Sequence, residues 1–140
     1  MCTANSCRSQ MAEGWARALH SETIEAVSAG TKPSRVNPLA IAVMQEVGVD
    51  ISTQRAKGVD AFLEQEFDYV ITLCGDANET CPIFAGAAKR VHAGFPDPAQ
   101  ATGSPDEVKQ AFRNVRDQIR AFVAGMPGSI EIYAAREGHN

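Results

Sequence analysis

Two cysteines and an arginine near the start of the chain have a spacing suited to thiol chemistry on an oxyanion. Cys2 and Arg8 are separated by five residues that are nearly all small or polar, and a predicted helix follows from about Ser9 to His20. A polar loop that opens a helix directs backbone N–H groups at one point, so it can bind a tetrahedral oxyanion. The same field lowers a thiol pKa, so we expect Cys2 to be largely thiolate near neutral pH. Arg8 can hold two oxyanion oxygens.

The stretch CTANSCRSQMAEG, which begins at Cys2, resembles the anion-binding loop of thioredoxin-coupled arsenate reductases. That family shares its fold with the low-molecular-weight protein tyrosine phosphatases. The resemblance implies that Cys2 is the nucleophile. It implies that the substrate is bound by the loop residues Thr3, Ala4, Asn5, Ser6, Cys7, Arg8 and Ser9. Within the loop, Ser9 is expected to hydrogen-bond the thiolate and Asn5 to stiffen the backbone, although both fit ordinary cap and turn positions.

A second pair of cysteines, Cys74 and Cys81, follows the clearest predicted strand. Neither pair lies at zinc-ligand spacing from the other or from the histidines, so a metal site is the weaker interpretation. A thiol relay fits better, with one cysteine resolving an adduct on Cys2 and the other accepting the disulfide. The segment ITLCGD followed by Cys81 and a proline resembles the redox segment of arsenate reductases. The phosphatases of this fold need no such pair.

Asp97 is the candidate general acid. A loop carboxylate followed by proline can reach a leaving oxygen, but Asp-Pro is also an ordinary turn signal. The family carries its acid in a similar Asp-Pro element. The phosphatases commonly place an aromatic residue next, where this chain has Ala99.

Lys57 occupies a position where some family members have an acid that helps to hold a potassium ion, together with counterparts of Asn5, Glu13 and Ser28. An ammonium group there can replace the cation, so we predict no potassium dependence. A solvated surface lysine is the alternative.

Composition limits the class of protein. The chain has 140 residues, a net charge of −4 and 44% hydrophobic residues, which suit one domain and argue against a nucleic-acid partner. There is no bilayer-spanning run or signal-peptide pattern. We therefore expect a cytoplasmic protein. In that reducing compartment four cysteines are expected to serve catalysis, redox chemistry or metal binding rather than static disulfides.

Hydrophobic periodicity supplies the elements that must position these residues. The predicted strands are 23–28, 69–74 and 90–93. The predicted helices begin at Ser9, at Pro38 behind an Asn37 cap, near Ala61 and at Pro105 behind a Ser104 cap. Alternation of strands and helices predicts an α/β fold with a parallel sheet.

The resemblance implies a three-layer, low-molecular-weight tyrosine phosphatase-like fold over residues 1–125, followed by a C-terminal tail, 126–140. It also implies a central strand before the loop, of which only Met1 is present, so we expect poor stability or self-association. In the tail, 129–133 alternates like a strand and could fill that position, although a short helix or a mobile tail is favoured.

The implied function is reduction of arsenate to arsenite in arsenic detoxification. Cys2 attacks, Asp97 protonates the departing oxygen, and Cys74 and then Cys81 resolve the adduct. The expected protein is a monomer without bound cofactor or metal, with thioredoxin as external reductant. The alternatives are a low-molecular-weight phosphatase that uses Cys2, Arg8 and Asp97 alone, and a sensor of oxyanions or redox state that no longer turns over.

Overall fold

The computed structural model describes residues 1–75, 86 and 88–137, with side chains described as far as Tyr133. Four α-helices are described: α1 (Arg8–His20), α2 (Pro38–Glu46), α3 (Pro105–Ala124) and α4 (Gly128–Glu137). Single 3-10 turns cover Val59–Phe62 and Pro98–Gln100. None of these helices is both long enough and apolar enough to cross a membrane.

The predicted starts of α2 and α3 are confirmed by their capping contacts. The Asn37 side chain accepts a hydrogen bond from the Leu39 N–H at 2.8 Å, and Pro38 begins α2. Ser104 forms a capping box with Glu107 at the start of α3. Both signals are local, because a cap needs only residues two or three positions apart.

The sheet is small and parallel, as predicted. Strands β1 (Tyr69–Thr72) and β2 (Lys89–His92) pair from Tyr69 opposite Lys89 to Thr72 opposite His92. Helices flank this sheet, and the fold is of the expected α/β type. The predicted limits of the two strands differ from the observed ones by only one or two residues.

Backbone contacts continue the sheet beyond β1. The Leu73 N–H donates to the Met1 carbonyl at 2.8 Å, and the Cys2 N–H donates to the Ala29 carbonyl at 3.3 Å. Isolated parallel bridges then join Cys2 to Gly30 and Gly30 to Gly58. Met1 and Cys2 therefore form one end of a strand position between β1 and the segment that leads to Gly30.

Two of the weaker element predictions need correction. Residues 23–28 were predicted as a strand, but they form no ladder with the described residues, and the parallel bridge to Cys2 is made by Gly30. The small helix predicted near Ala61 is a 3-10 turn over Val59–Phe62. The tail segment 129–133 lies in α4, so it is the short helix that the sequence analysis favoured over a strand.

The core lies where α1 and α2 pack against α3. It is built from fully buried apolar side chains: Met11, Val43, Met44, Ile51, Phe112, Ile119 and Val123. Trp15 adds a hydrogen bond from its indole N–H to the Arg116 carbonyl at 3.1 Å. This packing fixes α1, and α1 in turn fixes the loop that precedes it.

Candidate active site

The predicted site residues converge at the carboxyl edge of the sheet. Cys2 leads directly from the short strand position into the loop, Cys74 follows β1, and Asp97 follows β2. Parallel strands bring their carboxyl ends to one edge, where sites of open α/β sheets form. Residues far apart in sequence therefore meet in one place.

The loop between Cys2 and Arg8 is shaped by outward hydrogen bonds of its carbonyl groups. Three N–H groups of the following segment hold these carbonyls at 2.8–3.0 Å: Lys32 donates to Thr3, Ser34 to Ala4 and Asn37 to Ser6. Because the N–H and C=O of a trans peptide point in opposite directions, the N–H groups of Ala4, Asn5 and Cys7 are turned away from these contacts, to the inside of the loop. N–H groups that converge in this way can donate hydrogen bonds to a bound anion.

Gly30 permits a close approach that sequence reasoning missed. A Cβ atom at this position would lie 2.5 Å from the Thr3 carbonyl oxygen and 2.9 Å from the Asn5 nitrogen. Any other residue would therefore push the anion loop away from its bridge to the 29–30 backbone. The sequence carries no signal for this beyond a glycine in a predicted loop.

Asn5 is the centre of the polar network behind the loop. It is fully buried, and its φ of 50° lies in the left-handed region, which asparagine tolerates better than most residues. Its Oδ1 accepts hydrogen bonds from the Lys57 N–H at 2.9 Å and from Gln10 Nε2 at 2.7 Å. Its Nδ2 donates to Ser9 Oγ at 2.8 Å. The predicted hydrogen bond of Asn5 to a backbone group is therefore present, whereas its effect on loop stiffness stays a prediction.

Gln10 is a second residue to which the sequence assigned no role. Its side-chain amide also donates to the carbonyls of Asn5 and Arg55, and it accepts from Gln54 Nε2 at 2.7 Å. It therefore ties the start of α1 to the 54–57 segment. Ser9, predicted to bond the thiolate, is instead observed bonded to Asn5.

Cys2 and Cys74 lie side by side in a small buried cluster with Met1. Cys74 Sγ is 3.5 Å from Thr3 Oγ1, the side chain that follows Cys2 in the loop. Cys2 is only 4% exposed, and this burial raises the pKa of its thiol above the ordinary value, although Arg8 acts in the opposite direction. The prediction of a thiolate near neutral pH is therefore wrong for this state, since burial outweighs the cation.

Cys7 is a buried thiol on the other side of the loop. It packs into the main core, and burial raises its pKa to about 11, with Asp97 and Cys2 acting in the same direction. A neutral thiol of this kind is a poor nucleophile. Its side chain therefore supports the loop by packing, while its N–H group faces the anion position.

Arg8 and Asp97 form the wall opposite the thiols. Arg8 Nη1 donates to the Phe95 carbonyl at 2.9 Å, and Nη2 lies 3.6 Å from Asp97 Oδ2. Arg8 Nε is buried and has no hydrogen-bond partner among the described residues. Asp97 is held in turn by the Ala99 N–H, which donates to its Oδ1 at 3.0 Å. A buried guanidinium N–H without a partner is a position where an oxyanion oxygen can bind.

Lys57 is not a solvated surface charge. Its ammonium group lies 3.4 Å from Glu13 Oε1 and donates to the Arg55 carbonyl at 2.9 Å. Glu13 is almost fully buried and also accepts two hydrogen bonds from Ser28, one from its N–H and one from its hydroxyl. The ammonium thus supplies a positive charge beside the loop, as the sequence predicted.

Cys81 lies outside the described residues, so its predicted place in the relay stays a prediction. Among the residues that are described, no group of three histidine, cysteine or acidic side chains could hold a metal ion. Cys2 and Cys7 are free thiols. The observed arrangement can bind an oxyanion, present one thiol to it and offer a second thiol to the first.

Comparison with known proteins agrees with this geometry. Residues 1–131 match the family model described as low molecular weight phosphotyrosine protein phosphatase. The chain is 47% identical to an arsenate reductase of Halalkalibacterium halodurans over 119 residues, which cover 85% of this chain and 86% of the relative. An arsenate reductase of Bacillus subtilis strain 168 is 46% identical with the same coverage. A solved arsenate reductase in a phosphate-binding state superposes with a TM-score of 0.78 at 37% identity, covering 92% of this chain and 94% of the other.

Proposed function

The chain belongs to the low-molecular-weight phosphotyrosine protein phosphatase family, among its arsenate reductases, and we propose that it reduces arsenate to arsenite by a cysteine relay. One observation carries the proposal: a second thiol, Cys74, lies in the same buried cluster as Cys2, the thiol at the mouth of the anion loop. A phosphatase mechanism uses a single nucleophile and has no need of this neighbour.

The first step forms a covalent adduct. Arsenate binds in the loop, with oxygens held by backbone N–H groups and by Arg8, whose buried Nε is available. The Cys2 thiol gives its proton to a basic oxygen of the bound arsenate as its sulfur attacks arsenic, a Cys2 S–As bond forms, and one arsenate oxygen leaves as water after Asp97 protonates it. The 3.6 Å separation between Arg8 Nη2 and Asp97 Oδ2 supports this role for the carboxyl group.

The next steps transfer the electrons. Cys74 attacks the Cys2 sulfur, an S–S bond forms, and the electron pair of the S–As bond remains on arsenic, which leaves as arsenite. Cys81 then attacks Cys74, which frees Cys2 and leaves a Cys74–Cys81 disulfide. A dithiol protein, by resemblance thioredoxin, returns two electrons to this disulfide. A cytoplasmic location, where such reductants keep thiols reduced, fits this cycle.

The test measures arsenate-dependent NADPH consumption with thioredoxin and thioredoxin reductase. The wild-type chain should turn over continuously. Cys81→Ser should stop after one arsenate per chain and accumulate a Cys2–Cys74 disulfide that mass spectrometry detects as the loss of two hydrogens. The neighbouring conservative change Thr80→Ser is the matched control and should turn over normally. No wild-type turnover, or unimpaired Cys81→Ser turnover, would refute the relay.

A phosphatase remains the second candidate, because Arg8, Asp97 and Cys2 alone would suffice for phosphoester hydrolysis. Hydrolysis of p-nitrophenyl phosphate by Cys74→Ser distinguishes the two functions. If this variant hydrolyses the ester while arsenate reduction is lost, the anion site is catalytic and the second thiol belongs to reduction. If the wild type hydrolyses the ester and never reduces arsenate, the chain is a phosphatase.

A further inference from the structure

Three aromatic rings connect the C-terminal helix α4 to the segment that carries the candidate general acid. Phe95 lies two residues before Asp97, and its ring meets that of Phe122 in α3 edge to face, with the ring centroids 5.9 Å apart. The Phe122 ring in turn contacts the ring of Tyr133 in α4, at a centroid distance of 4.9 Å. Such pairs stabilise a packing arrangement beyond the apolar area that they bury. The three rings form an aromatic stack in the order Phe95, Phe122, Tyr133.

The backbone of Phe95 contacts two parts of the candidate active site. Its N–H group donates to the carbonyl of Leu73, the residue before Cys74, at 3.1 Å. Its carbonyl accepts a hydrogen bond from Arg8 Nη1 at 2.9 Å, whereas Arg8 Nη2 lies 3.6 Å from Asp97 Oδ2. The ring of Phe95 packs against the main core. The position of the carbonyl that holds Arg8 therefore depends on how firmly this ring is held.

Helix α4 has its own contacts with the sheet and the core, so it can hold one end of the aromatic stack. Glu131 accepts hydrogen bonds from Tyr69 Oη and Lys89 Nζ, both at 3.0 Å. These two partners are the first residues of β1 and β2. The Ile130 side chain is 4% exposed and belongs to the main core. Tyr133 therefore lies on a helix that is attached to the same sheet whose carboxyl edge carries the site.

We propose that Tyr133 is a positioning residue for Arg8, because the aromatic stack holds the Phe95 carbonyl and this carbonyl holds the guanidinium group where an oxyanion binds. The inference rests on the proposed role of Arg8 in oxyanion binding. The two terminal nitrogens of Arg8 face Phe95 and Asp97, and Nε is buried without a hydrogen-bond partner among the described residues. Because the guanidinium group is planar and rigid, those two contacts also set the direction of Nε. A displaced Phe95 carbonyl would turn the group and misplace the N–H that an oxyanion oxygen needs.

The test measures phosphate binding by calorimetry, at a temperature where circular dichroism shows every variant to be folded. Tyr133→Leu removes the ring but keeps an apolar side chain that favours a helix. It should raise the Kd for phosphate roughly threefold to tenfold, the factor that corresponds to the loss of one aromatic contact. Tyr133→Phe keeps the ring and should bind phosphate like the wild type. Ile132→Ala is the matched control, because the neighbouring side chain on α4 is 57% exposed, and it should also bind like the wild type.

Phosphate affinity separates a positioning role from general support of the fold. A ring that only supports the fold would lower the unfolding midpoint of Tyr133→Leu and leave the phosphate Kd of the folded protein unchanged, which would refute the proposal. Equal weakening in Tyr133→Phe or in Ile132→Ala would also refute it, because the ring would then not be the cause. If Tyr133→Leu does not fold, Phe95→Leu removes the ring at the other end of the stack and keeps the carbonyl. It should weaken phosphate binding by a similar factor, and unchanged affinity would overturn the proposal.

Arsenate reduction is measured separately, because the proposed function and the role of Tyr133 can fail independently. If the wild type binds phosphate with the expected dependence on Tyr133 but does not reduce arsenate, the proposed function is wrong and the positioning role stands. If the wild type reduces arsenate and Tyr133→Leu binds phosphate with unchanged affinity, the positioning role alone is wrong.

Discussion

Replacement of Asn5 tests whether the buried polar network supports the anion loop. Asn5→Ala removes three side-chain hydrogen bonds, to Lys57, Gln10 and Ser9, of 2.9, 2.7 and 2.8 Å. At about 1 kcal/mol each, their loss costs about 3 kcal/mol of unfolding free energy. The φ of 50° adds about 1 kcal/mol for an alanine in the left-handed region. We therefore expect a total loss of about 4 kcal/mol, measured by urea unfolding at unchanged m value.

Asn5→Gly is the matched control, because glycine loses the same hydrogen bonds but adopts the positive φ without strain. It should lose about 3 kcal/mol, so the two variants should differ by about 1 kcal/mol. Both should bind phosphate more weakly, measured by calorimetry. A loss below about 1 kcal/mol for Asn5→Ala would refute the network argument. Equal losses for the two variants would refute the strain argument.

Three further outcomes are expected. Exchange of sodium for potassium should leave the unfolding midpoint unchanged, and a wild-type midpoint that depends on potassium would contradict this. Lys57→Ala should lower the unfolding free energy by about 2 kcal/mol, because the buried Glu13 carboxylate keeps its charge but loses the ammonium group; its other partners limit the loss. Alkylation of Cys2 by iodoacetamide, followed by peptide mapping, should accelerate with pH to beyond the ordinary thiol pKa, since burial favours the protonated form; a plateau below about pH 8.5 would count against it. Hydrogen bonds from the Arg113 guanidinium hold the pKa of Glu46 at about 2 in the folded protein. The ionised Glu46 therefore stabilises the fold fully above the pKa that it has in the unfolded chain, and this stabilisation is lost as the pH falls through the pKa of the folded protein. Glu46→Gln should therefore lower the midpoint at pH 7 and match the wild type near pH 2, and a difference that persists in acid would contradict the assignment.

Local features of the sequence determined much of the fold and of the anion loop. The Asn37 and Ser104 caps and the apolar run after Asp68 need only short-range contacts, so their positions could be predicted to within a few residues. The spacing of Cys2 and Arg8 before α1 likewise predicted the cradle. The segment 23–28 could not be predicted reliably, because an extended segment becomes a strand only when a neighbour pairs with it.

Only the tertiary structure decided how the site is supported and protonated. Gly30 and Gln10 act on the loop through contacts between segments distant in sequence, which no spacing rule detects. The meeting of Cys2 with Cys74 depends on the order of segments at the sheet edge. The pKa of Cys2 depends on burial by residues that close over it, which opposes the local field of α1 and Arg8. The sequence thus determined which groups could do chemistry, and packing determined which groups meet and in what charge state.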